Sequence, residues 1–199
     1  MKINQLAIQA IGEAVIPLLG YFFFDWNLYF ILLYYFIDLL ATEVFLNLKV
    51  KKIIEFNKGQ NVNKRRWTLS VINLIFIFLL IGASHFAIYF ILPGIDFYDE
   101  FILFMNYEEL GVPIPQWMLL FPLVFFGNYQ QYKMFFLMPA RYRTKKMEDV
   151  FSSRLKALVV AVSGAFFALI LAYFFGFPAI LYLLGIVVVK FYLDLKLKV

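Results

Sequence analysis

The sequence has no cysteine among its 199 residues. Disulfides, thiolate metal sites and cysteine-linked lipids are therefore excluded. It has one histidine, His85, and a lone imidazole without thiolate partners makes a poor zinc site. No Gly-x-Ser-x-Gly elbow is present, and Ser84 and His85 are sequence neighbours whose side chains point about 100° apart on a helix, so they cannot act as a nucleophile–base pair. No catalytic residue, metal or cofactor is implied. Charge is also scarce, at 16% against 64% hydrophobic, with a mean hydropathy of +0.82. A water-soluble domain with that balance would lack the polar surface to face water.

What is present fits an all-α transmembrane bundle in one domain, 1–199, whose length accommodates about six spans and no second, soluble domain. Apolar segments fall at about 5–24, 28–48, 68–92, 117–139, 157–175 and 179–193. The first reads as a span and not as a cleaved signal, because it carries Glu13, lacks a small-x-small site and runs straight into the second. A segment at 95–116 holds five acids and no base, with Phe97, Phe101, Phe104 and Met105 at helical spacing. It predicts a short interfacial helix between spans three and four. Trp26, in the turn after span one, is placed for the interfacial aromatic belt.

The formal charge of +5 is unevenly distributed. Lysine and arginine cluster at 49–66 and 141–156 and are absent between Arg66 and Lys133. The positive-inside rule then puts both termini and both basic loops in the cytoplasm of a bacterial inner membrane. The bases serve topology and lipid contact, and nucleic acid is not a partner. The bilayer is, together with other membrane proteins or further copies of the chain. Spans one to three and four to six show mirrored loop lengths without matching residues, which weakens a repeat-built transporter.

A few polar residues interrupt the spans. Gln5, Gln9 and Glu13 form an i, i+4, i+8 stripe, and Tyr34, Asp38 and Thr42 form another on span two. A carboxylate at mid-span costs roughly 2.5–3.5 kcal/mol on insertion scales, so it faces protein or water. Glu43, nearer the end of span two, is within snorkelling reach of the basic loop. Glu13, Asp38, His85, Asn128, Gln131 and Lys133 make the candidate intramembrane set, with Asn128, Gln131 and Lys133 in a polar break of span four. They read either as a proton or cation site or as hydrogen-bonding groups that fix helix packing, with Lys133 as the partner of the acids. Lys190 and Asp194, at i, i+4, predict an ion pair at the cytoplasmic boundary. Ala157, Ala161, Ala165, Ala168 and Ala172 form a seam of small residues suited to close helix contact.

Several of these landmarks together resemble a family of small bacterial integral-membrane proteins with no assigned activity. They are Trp26 followed by LYFILLYYFID, with Tyr35-Phe36-x-Asp38; His85-Phe86; and Gly176-x-Pro178, Leu184, then Lys190 and Asp194-Leu195. Asp38 stands where that family usually shows glutamate. The resemblance implies the same polytopic architecture and draws attention to Asp38, His85 and Lys190. Three functions remain open in order of fit: a non-catalytic subunit or scaffold of a membrane assembly, a proton- or cation-coupled transporter or channel, and a membrane-embedded enzyme on a lipid-type substrate.

Overall fold

The computed structural model describes residues 2–57, 63–106 and 115–196. The side chains of 2–9, 63–64 and 196 lie outside that description, and with them Gln5 and Gln9, Lys58, Lys64, Glu108 and Glu109. Among the described residues there are seven α-helices and no β-strand: α1 (Lys2–Phe23), α2 (Leu28–Asn57), α3 (Asn63–Ile91), α4 (Phe97–Asn106), α5 (Gln116–Tyr132), α6 (Met147–Phe175) and α7 (Ala179–Lys196). A π-helical turn, Lys133–Leu137, and a 3₁₀ turn, Arg141–Arg143, connect α5 towards α6. Three helices, Leu28–Asn57, Arg65–Ile91 and Met147–Phe175, are long and apolar enough to cross a membrane, and Ala10–Phe23 is a shorter apolar helix.

Helix α2 is the axis of the fold. It touches α1, α3, α4, α5 and α6, while α3 packs along α6 and α7 along α1. Its apolar window is 67% buried, against 28% for that of α3 and 17% for that of α6. Apolar residues surround most of α2, as a helix enclosed by other helices requires. Ile31, Ala41 and Val50 on it are fully buried. One core cluster centres on 28–41 with residues from α1, α4, α5 and α7, and a second, at the basic end, joins Leu46, Val50 and Ile53 to Phe136, Met147 and Phe151.

The helices outrun the apolar segments at the basic end. Helix α2 continues through Lys49, Lys51 and Lys52, and α6 begins ten residues before the segment read from hydropathy at 157. Lysine, glutamate and arginine are good helix formers, so the change from apolar to charged residues does not end the helix. The turns at the other end are sharper. Asp25 has φ 52°, and Gly176 closes α6 with φ 56°, a left-handed conformation that glycine adopts at little cost.

Trp26 is a correction to the aromatic-belt expectation. It is 4% exposed, 6.3 Å from the Tyr34 ring, and it lies flat against Gly20. A Cβ on Gly20 would come within 2.3 Å of the indole. The Trp26 amide also donates to the Gly20 carbonyl at 3.0 Å, so the residue staples the α1–α2 turn from inside. Helix α4 is likewise more than a surface helix. It packs on α2 and α5, Phe104 is 1% exposed against Phe30, and Asn27 donates to Glu100 at 2.7 Å. Asp96 caps it by accepting from the amides of Tyr98 and Asp99.

Candidate functional site

Counting along the helices from the α4 end gives four polar residues nearly the same depth. Glu13 is ten residues before the end of α1, Asp38 ten after the start of α2, Lys190 eleven after the start of α7, and Asn128 twelve after the start of α5. At 1.5 Å per residue these are depths of about 15–18 Å. Packing α1 and α5 against or around α2, and α7 on α1, brings them into one network.

Lys190 is its hub. Its ammonium lies 2.7 Å from Asp194, 3.0 Å from Asp38 and 3.3 Å from Glu13. Asp38 also accepts from Asn128 Nδ2 at 2.8 Å, and Asn128 accepts from the Thr42 hydroxyl at 3.2 Å. Glu13 accepts from Gln131 Nε2 at 2.7 Å. The side chains of Asp38 and Asp194 are 11% and 6% exposed. With every acid ionised, these three carboxylates and one ammonium carry a formal charge of −2. Inside a membrane such an excess is met by bound protons, by a cation, or by water reaching the site.

Glu13, Asp38, Asn128 and Gln131 from the sequence set are thus together, with the Tyr34, Asp38 and Thr42 face turned inward as spacing predicts. Lys133 and His85 are elsewhere. Lys133 is exposed on the π-helical turn and makes no ion pair among the described residues. The reason lies in spacing: two residues beyond Gln131, it points about 200° away from it. The partner of the acids is Lys190. This also revises the boundary reading of Lys190 and Asp194, since the i, i+4 pair forms but sits within the buried network. Neither Thr42 as a ligand of Asn128 nor Lys190 as the hub follows from hydropathy, but equal distance from the outer turns is a signal that would have grouped them.

His85 sits in an aromatic box. Its Nδ1 donates to the Ile81 carbonyl at 2.8 Å, leaving Nε2 to accept from the Tyr29 hydroxyl at 3.4 Å. Phe36 stacks on it at 5.6 Å and Phe97 lies 5.2 Å away. Nearer the basic end, Glu43 pairs with Arg154 of α6 and does not snorkel to the loop after α2.

A cavity of about 500 Å³ runs between α2, α3, α6 and α7 and borders the network at Asp38, Lys190 and Asp194. Ala157, Ala161, Ala165 and Ala168 line it, and Ala172 lies in the core. The seam of small residues therefore borders open space along most of its length. The hydroxyls of Tyr35 and Tyr182, both in the lining, are buried without a hydrogen-bond partner. Buried polar atoms of this kind are normally satisfied by water or a ligand. Among the described residues no group of three or more His, Cys, Asp and Glu side chains has the arrangement to hold a metal ion.

Comparison with protein-family models, with curated proteins and with solved structures returns no match.

Proposed function

We propose that the protein is a six-span protein of a bacterial inner membrane, with both termini in the cytoplasm, and that it carries protons or a monovalent cation across that membrane. The observation that carries the reading is the charge imbalance at mid-depth: three carboxylates share one lysine beside a cavity. A structural polar cluster needs hydrogen bonds, which neutral amides and hydroxyls supply. An excess of two acids adds the capacity to load and release a cation. In this reading Asp38 and Asp194 load from the cavity, Lys190 holds the acids in place, and Asn128 and Gln131 orient Asp38 and Glu13. Basic residues at one end of the bundle and acidic α4 at the other support the orientation, and the residue pattern around Trp26, Asp38 and Lys190 supports kinship with the small bacterial membrane family.

The test is flux into proteoliposomes under a pH or sodium gradient. Asp38→Asn is expected to abolish flux while the protein keeps its thermal transition in detergent. Flux equal to that of the unmodified protein would overturn the reading. The cysteine-free sequence gives a clean topology test: Asp99→Cys and Lys145→Cys should label from opposite sides of the membrane. Labelling from one side would remove the six-span arrangement.

A second reading, a subunit or scaffold that packs against other membrane proteins or further copies of itself, is favoured by the slight burial of α3 and α6. It predicts stoichiometric co-purification in mild detergent. The enzyme reading has less support, because His85 is spent on the Ile81 carbonyl and an aromatic box away from the acids.

A further inference from the structure

The cavity has a shape that the transport reading does not require. On α2 its lining extends from Leu28 to Lys49, and on α6 from Val150 to Leu171, each a step of 21 residues. At 1.5 Å per residue that is about 31 Å, the thickness of a bilayer's hydrocarbon core. A volume of about 500 Å³ drawn out over that length makes a long, narrow slot, suited to an extended chain more than to a compact solute. The outer half is walled mainly by aliphatic and small residues, including Leu32, Ile88, Gly164, Ala165, Ala168 and Gly185, with Tyr35, Ser84 and Tyr182 among them. Phe167 and Val188, on α6 and α7, are 62% and 65% exposed and flank the slot.

The basic end of the slot differs. Ser153, Arg154 and Lys49 line it. Arg154 bonds Glu43 through Nε, while its Nη2 is buried and has no hydrogen-bond partner. Asp38, Lys190 and Asp194, further in, bond one another. Tyr35, Tyr182 and Arg154 are the lining residues that carry a buried donor without a partner; of these the guanidinium is the cationic one, and its natural acceptor is an anionic oxygen.

We propose that the slot between α2, α3, α6 and α7 seats one chain of an anionic lipid, with the phosphate or carboxylate of its head on Arg154 and Lys49 at the basic end. The seat depends on membrane embedding and on the cavity, and it does not depend on cation transport. Binding and flux are measured separately, so either can fail without the other.

The experiment is photolabelling in bilayers with a phosphatidic acid bearing a diazirine on its chain, with the matching phosphatidylcholine and free fatty acid as comparisons. Labelled peptides are mapped by mass spectrometry. Phosphatidic acid is expected to label α6 and α7 positions facing the slot in preference to the outward face of α3 around Phe78. Arg154→Lys keeps a cation for Glu43 and removes the second donor. It should weaken slot labelling about tenfold, as loss of a charge-assisted hydrogen bond implies, and leave α3 labelling unchanged. Ala161→Phe should block slot labelling sterically, with Ala161→Leu as the milder version if the larger ring prevents folding. Stronger labelling by the fatty acid than by phosphatidic acid would assign the head to a carboxylate and support the seat. Equal labelling of slot and α3 by all three lipids, unchanged in both variants, would mean annular lipid only and would overturn it.

Discussion

Replacing Lys190 by methionine removes the cation that three acids share while keeping most of the length of the side chain. Its ammonium is within 3.3 Å of Glu13, Asp38 and Asp194, and its side chain is 19% exposed. Breaking a buried ion pair by removing one partner costs about 3–5 kcal/mol. Here the loss leaves three carboxylates facing each other, so the upper part of that range applies when all are ionised. The deficit of Lys190→Met should therefore be about 4–5 kcal/mol at neutral pH, read by thermal unfolding in detergent. Adding Asp194→Leu should recover part of the loss, because it removes one of the stranded acids. No deficit, or no recovery on adding the second substitution, would refute the account of Lys190 as a cation that neutralises this cluster.

Other consequences are simpler. Gly20→Ala puts a methyl group within 2.3 Å of Trp26 and should cost about 1–3 kcal/mol in the same assay, by forcing the indole out of its seat. His85→Phe should cost about 1–3 kcal/mol, because the larger ring must fit the box of Phe36, Phe97 and Tyr29 and the hydrogen bonds to Tyr29 and Ile81 are lost, and should leave flux unchanged in the folded fraction; loss of activity in folded protein would give the imidazole a chemical role. Glu13→Gln keeps an oxygen for Gln131 and removes one excess negative charge, so stability should hold or rise while cation flux drops; unchanged flux would mean that Glu13 only packs.

The all-helical character and the central place of residues 28–48 could be read from hydropathy, and three of the apolar segments form helices long enough to cross a membrane, since length and apolar composition are properties of each helix separately. The same holds for Tyr34, Asp38 and Thr42, whose shared face follows from helical periodicity alone. Pairing between helices is another matter. Hydropathy put Lys190 at a boundary because its segment looked short, and it put Lys133 beside the acids because it shares a polar run with Asn128 and Gln131. Depth along neighbouring antiparallel helices decides the first, and rotation about the helix axis decides the second. Trp26 shows the complementary limit: its position at a turn suggested the interface, but the gap left by Gly20 on the preceding helix drew it inside. The alanine seam was visible in the sequence, while the cavity beside it depends on how α2, α3, α6 and α7 come together, which no local pattern encodes.

The composition of the network bears on whether packing is a sufficient explanation for it. Asn128 satisfies both Asp38 and Thr42, and Gln131 satisfies Glu13, so the amides alone could join α1, α2 and α5. A neutral residue at 38 or 13 would accept those same hydrogen bonds without the cost of a buried charge. Lys190 offsets one acid and its i, i+4 partner Asp194 reverses that gain, returning the group to an excess of negative charge. Each ionisable residue beyond the first pair therefore raises the cost of assembling the bundle. On the proposed transport reading, such a group is held in lipid with protons or a cation bound, taken up from the part of the cavity at Asp38, Lys190 and Asp194. Occupancy of the site by a cation and stability of the fold are then the same equilibrium, and thermal stability should rise with the concentration of whichever cation the site takes.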